Sequence, residues 1–128
     1  MKIKGCFLKY GEKLGSYVIG TECVLTIPKS IPVVYRPKEF GHHRIIGSCN
    51  VMNTNGKLFL KNGYIFEDKL SEGLVKKIIN AGGGLSCKYY AMESHLDDNG
   101  QKILVRAKLA EVTLIPELIS NDHKIEIE

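Results

Sequence analysis

Residues 68–92 read DKLSEGLVKKIINAGGGLSCKYYAM, and this stretch decides the fold. Asp68 is a helix-capping residue type. Leu70, Leu74, Val75, Ile78 and Ile79 recur at helical spacing on one face, while Glu72, Lys76, Lys77 and Asn80 fall elsewhere. Gly82-Gly83-Gly84 then end the helix and turn the backbone into a strand from Leu85 to Met92. No other segment carries this helical periodicity, so the sequence predicts one helix set among strands.

Upstream, glycine, proline and asparagine punctuate short runs of β-branched and aromatic residues, the pattern of antiparallel strands. Candidates are Ile3 to Tyr10, Tyr17 to Leu25 and Pro32 to Tyr35, followed after a polar stretch by Ile45 to Met52 and Lys57 to Phe66. Asn55-Gly56 between the last two marks a hairpin, because both residues tolerate positive φ. Downstream, a polar loop at His95 to Gly100 precedes strands at Lys102 to Ala107 and Leu109 to Ile115. The acidic tail from Glu117 onward is expected at the periphery. About seven or eight short strands without helical crossovers argue against a parallel sheet. The expected class is α+β, mostly β: a small, partly closed antiparallel β-barrel with one packed helix, in a single domain spanning residues 1–128.

The length of 128 residues suits one core without disulfide staples. The net charge of +4 comes from scattered lysines such as Lys2, Lys9, Lys13, Lys76 and Lys77, without interleaved aromatics; this is a solvated surface rather than a nucleic-acid footprint. The apolar runs are strand length, too short to span a bilayer. Residues 1–5 show no secretion signal, so synthesis in the cytoplasm is expected. Cys6, Cys23, Cys49 and Cys87 are irregularly spaced and read as reduced, mostly buried thiols. No cofactor and no metal is expected, since the Walker, dinucleotide and H-E-x-x-H patterns are missing.

Ser86 is the residue with most chemical promise, because it follows three glycines where backbone N–H groups, at Gly84 and Cys87, could form an oxyanion site. Read from this string alone, such a serine is more often part of a turn than a nucleophile. Its base would come from His42 or His43, a pair in the polar stretch, whereas His95 and His123 read as loop residues. Glu22, Glu39, Glu93 and Glu111 are the acids that could orient a histidine, and spacing does not choose among them.

The run Gly84-Leu85-Ser86-Cys87-Lys88-Tyr89 after the helix, then Leu109-Ala110-Glu111-Val112-Thr113-Leu114-Ile115-Pro116, resembles the tailed-phage prohead (capsid maturation) protease family. There the corresponding pieces read G-L-S-x-G-F/Y and L-x-E-V-S-L-V-P. The similarity covers roughly residues 31–116. It implies a small β-barrel with a flanking helix and puts Ser86 on the nucleophile position. Active members carry their histidine just after the strand matching Ile31 to Tyr35, where this chain has Arg36-Pro37-Lys38. The second glycine of G-L-S-x-G-F is replaced by Lys88. Loss of the general base removes most of the power of a serine nucleophile. The expectation is therefore a capsid auxiliary or decoration protein. It would be located in the virion shell after assembly in the host cytoplasm, bound to the major capsid protein, other head proteins or itself, with no direct nucleic-acid or membrane contact. The alternative is an active serine protease that cleaves scaffold and capsid proteins through Ser86 and His42 or His43. A small-molecule-binding barrel unrelated to phage is a third reading.

Overall fold

The computed structural model describes residues 1–37 and 43–128. In chain order the elements are β1 (Lys2–Lys4), β2 (Cys6–Lys9), β3 (Lys13–Leu14), β4 (Tyr17–Thr26), β5 (Ile31–Tyr35), β6 (Arg44–Thr54), β7 (Lys57–Ile65), α1 (Lys69–Asn80), β8 (Gly84–Leu96), β9 (Lys102–Ile115), a 3-10 turn (Asn121–His123) and β10 (Glu126–Ile127). The fold is mostly β with one α-helix.

The helix forms as its sequence dictates. Asp68, itself extended, accepts hydrogen bonds from the Ser71 backbone N–H at 2.7 Å and the Ser71 hydroxyl at 3.0 Å. Those bonds hold its carboxyl below the usual range. At the other end Gly82 takes the left-handed conformation (φ +73°), and the N–H groups of Gly82 and Gly83 donate to Ile79 and Ile78. Ser71, Val75 and Ile78 form the buried stripe, with Leu74 and Ile79 partly covered beside it. Leu70, expected on that stripe, is 52% exposed because it sits at the edge of the arc these residues define.

The β6–β7 hairpin also follows its sequence: Asn55 and Gly56 have φ of +52° and +78°, the pair of left-handed residues that a two-residue turn requires. Elsewhere the strand boundaries move. The run expected from Ile3 to Tyr10 breaks at Gly5 (φ +152°), where a Cβ would lie 2.5 Å from the Lys124 carbonyl oxygen. His95 belongs to β8 rather than to a loop. The turn is Asp97–Gly100, in which the Asp97 carboxylate accepts from the N–H groups of Asn99 and Gln101. Two expected strands merge into β9, whose exposed Arg106 and Lys108 alternate with buried Ala107 and Leu109.

The sheet runs β10-β1-β7-β6-β5-β9-β4-β3, with β2 also on β7 and β8 on the other edge of β9. Most pairings are antiparallel, but β4 and β5 both pair parallel to β9, which corrects the all-antiparallel expectation. Parallel neighbours need a long return path, and here the β6–β7 hairpin, α1 and β8 together supply it. The sheet is open rather than a closed barrel; an isolated bridge between Gly84 and Lys124 marks where β8 meets the tail. A single buried cluster, including Phe7, Ile19, Val33, Ile46, Leu85 and Leu109, lies inside.

The tail is not peripheral. His123 and Ile125 are buried, and β10 pairs antiparallel with β1. Asp122 meets Lys57 at 3.1 Å and Lys9 at 3.6 Å, and Glu126 meets Lys4 at 3.6 Å. The acids of this segment therefore answer lysines of the N-terminal half, while Ile125 fills the core. Among the described residues no helix is long and apolar enough to cross a membrane.

Candidate functional site

Ser86 lies in the third position of β8, half-buried, directly across from Thr113 of β9. Lys88 stands two residues along, across from Glu111. Because side chains alternate along a strand and cross-strand partners share a face, Ser86, Lys88, Thr113 and Glu111 face the same way. Arg36, immediately beyond β5, reaches this face. Its Nε donates to Glu111 Oε2 at 2.9 Å and its Nη2 to Oε1 at 2.7 Å, a two-pronged ion pair. Thr113 Oγ1 donates to the same Oε2 at 3.0 Å. Arg36, Ser86, Cys87, Lys88, Thr113 and Ile115 together line a shallow depression of about 330 Å³.

The electrostatics follow from these contacts. Burial works to raise the Glu111 carboxyl, but the hydrogen bonds from Arg36 and Thr113 and the arginine charge outweigh it and hold the group below the ordinary carboxylate range. The hydrogen bond to Glu111 in turn raises the Arg36 guanidinium. Arginine does not release a proton in proteins, so it cannot serve as a base. The depression thus holds a hydroxyl, a carboxylate and a permanent cation. Among the described residues no histidine hydrogen-bonds to Ser86.

The sequence-derived candidates are dispersed. His43 is exposed ahead of β6, and His42 and Glu39 lie outside the described residues. His95 is exposed at the far end of β8, and Glu22 and Glu93 are also exposed. Cys87 is pushed up to about 12, chiefly by burial, and Cys49 likewise to about 12, so neither is a thiolate at neutral pH. All four cysteines are free.

The glycines before Ser86 serve packing. A Cβ on Gly83 would lie 2.2 Å from the Ile115 carbonyl oxygen, and one on Gly84 would lie 2.3 Å from that of His123 and 2.5 Å from Leu118 Cδ1. The close approach that glycine permits here is an approach of the chain's own backbone.

His123, read from sequence as a loop residue, is fully buried on the other side of this segment. Its Nδ1 faces the Leu85 carbonyl oxygen at 2.9 Å, and its Nε2 faces both Glu12 carboxylate oxygens at 2.8 and 2.9 Å. Both acceptors are satisfied at once only when both ring nitrogens carry protons. The histidine of this fold with a carboxylate partner therefore clamps the tail to the residue before Ser86.

Sequence reasoning missed Arg36, Glu12 and His123 as partners. Arg36 could have been flagged, since it follows a strand directly and Glu111 lies in an apolar run. Glu12 and His123 are 111 positions apart and carry no local signal. Comparison with family models, curated proteins and solved structures finds no match.

Proposed function

We propose that this chain is a non-enzymatic capsid component of a tailed phage, an auxiliary or decoration protein built on a prohead-protease-like fold. The observation that supports this reading most is the two-pronged Arg36–Glu111 ion pair beside Ser86. In the protease family the base follows the strand that corresponds to β5, and in this chain the residue that follows β5 is Arg36, spent on the carboxylate next to Ser86. A nucleophile-type serine with a carboxylate neighbour and a guanidinium in place of an imidazole keeps the layout of a hydrolytic site without its proton acceptor. The finer fold reading, a partly closed prohead-protease-like barrel, belongs to the same proposal and is supported by the Gly84–Lys124 bridge.

Two measurements test it. Mass spectrometry of purified virions should find residues 1–128 intact and in many copies relative to the major capsid protein. The purified chain should cleave neither capsid nor scaffold protein, and Ser86→Ala should change nothing. Cleavage that disappears in Ser86→Ala would establish the alternative, an active maturation protease.

A further inference from the structure

Beyond Cys87, β8 is bordered by β9 on one side, and among the described residues no ladder pairs its other edge from Lys88 to Leu96. An edge of this kind is a template to which another extended segment can add through main-chain hydrogen bonds.

The face beside the edge is chemically one-sided. Tyr89 packs against the core, and Ala107 and Leu109 are buried in it. By alternation, Lys88 and Tyr90 of β8, Arg106 and Lys108 of β9, and Val24 and Thr26 of β4 occupy the opposite, exposed face. Tyr90 and Val24 are 58% and 62% exposed, and the bulged Met92 beside them 61%. Lys88, Arg106 and Lys108 make no ion pair among the described residues. The acids facing them are Glu93, across from Arg106, and Glu111, whose charge Arg36 already answers. The surface is thus apolar in its middle and positive around it.

The charges select the occupant. A second copy added edge to edge would bring the same three cations alongside their own kind, which is unfavourable. A segment with carboxylates at alternate positions would place them next to Lys88, Arg106 and Lys108, whose long side chains reach across one strand spacing of about 4.8 Å. We propose that the free edge of β8 and this basic face dock an extended, acidic segment of a partner protein, which joins the sheet as a strand. The inference rests on the strand geometry and is independent of the capsid reading.

The test uses the full chain and a labelled synthetic peptide of about ten residues, an ordinary strand length, alternating glutamate and valine; a lysine–valine peptide is the control. Fluorescence anisotropy should show saturable binding of the acidic peptide that weakens as salt rises. The charge-reversed variant Lys88→Glu/Lys108→Glu should bind it at least about tenfold more weakly with an unchanged thermal midpoint. Methylating alternate backbone nitrogens of the peptide should abolish binding, since it removes the ladder donors. Equal binding of both peptides, no binding of the acidic one, or undiminished binding by the variant overturns the proposal. Retention of the methylated peptide overturns strand addition. Sedimentation showing a dimer that the peptide cannot disrupt would assign the edge to a second copy instead.

Discussion

The two parts of β8 share one partner strand but differ in everything else around them. From Gly84 to Cys87 the strand is enclosed: the tail bridges it at Gly84, His123 binds the Leu85 carbonyl, and the Arg36–Glu111 pair sits over Ser86. From Lys88 to Leu96 it is paired on one side only, with large apolar side chains in solvent. The comparison teaches that neighbours rather than strand propensity set the local stability of a strand. The enclosed part should resist change and the open part should tolerate it.

The sharpest way to break this contrast is His123→Ala. It leaves a cavity and strands the Leu85 carbonyl and Glu12 carboxylate without a donor. Urea unfolding should register a loss of about 3–5 kcal/mol. A loss below about 1 kcal/mol would mean that the tail does not secure the enclosed part. Gly84→Ala comes next, since its Cβ would meet backbone and a packed leucine that cannot simply rotate away. A cost of about 2–3 kcal/mol is expected by the same measurement.

Glu111→Gln should cost less, about 1–2 kcal/mol at neutral pH, because Arg36 is a third exposed and partly solvated without its partner. The sign with pH is fixed by the depressed carboxyl. The stabilisation is fully present above the unfolded value of about 4.5 and is lost as pH falls through the lower folded value. Unfolding curves of wild type and Glu111→Gln should therefore converge in acid, and a gap that widens there contradicts the assigned ion pair. The smallest effect belongs to the open part: Met92→Ser should move stability by less than about 0.5 kcal/mol. A larger loss would show that this part is covered in solution.

What the sequence reveals about this molecule is its local chemistry. The Asp68 cap, the Val75–Ile78 stripe and the Asn55-Gly56 turn are each decided within a few residues, and each forms where the pattern puts it. The parallel placement of β4 and β5 against β9 is decided by how distant segments meet. The same holds for the candidate site: Ser86 and Glu111 stand out in their strings, yet Arg36 joins Glu111 from 75 positions away. The acidic tail misleads for a different reason. Its net charge hides the buried His123 and Ile125 within it, and its acids find lysines that composition alone leaves looking scattered.

The clasp between Glu12 and His123, with β10 lying along β1, also has a kinetic side. The first strand of the chain completes its pairing only once residues 123–127 exist, so during synthesis everything between them waits with one sheet edge unfinished. Such long-range closure is slow to reach and contributes late. The nascent chain should therefore depend on protection by chaperones until its tail is made, and a tail-truncated form should accumulate as an aggregation-prone intermediate.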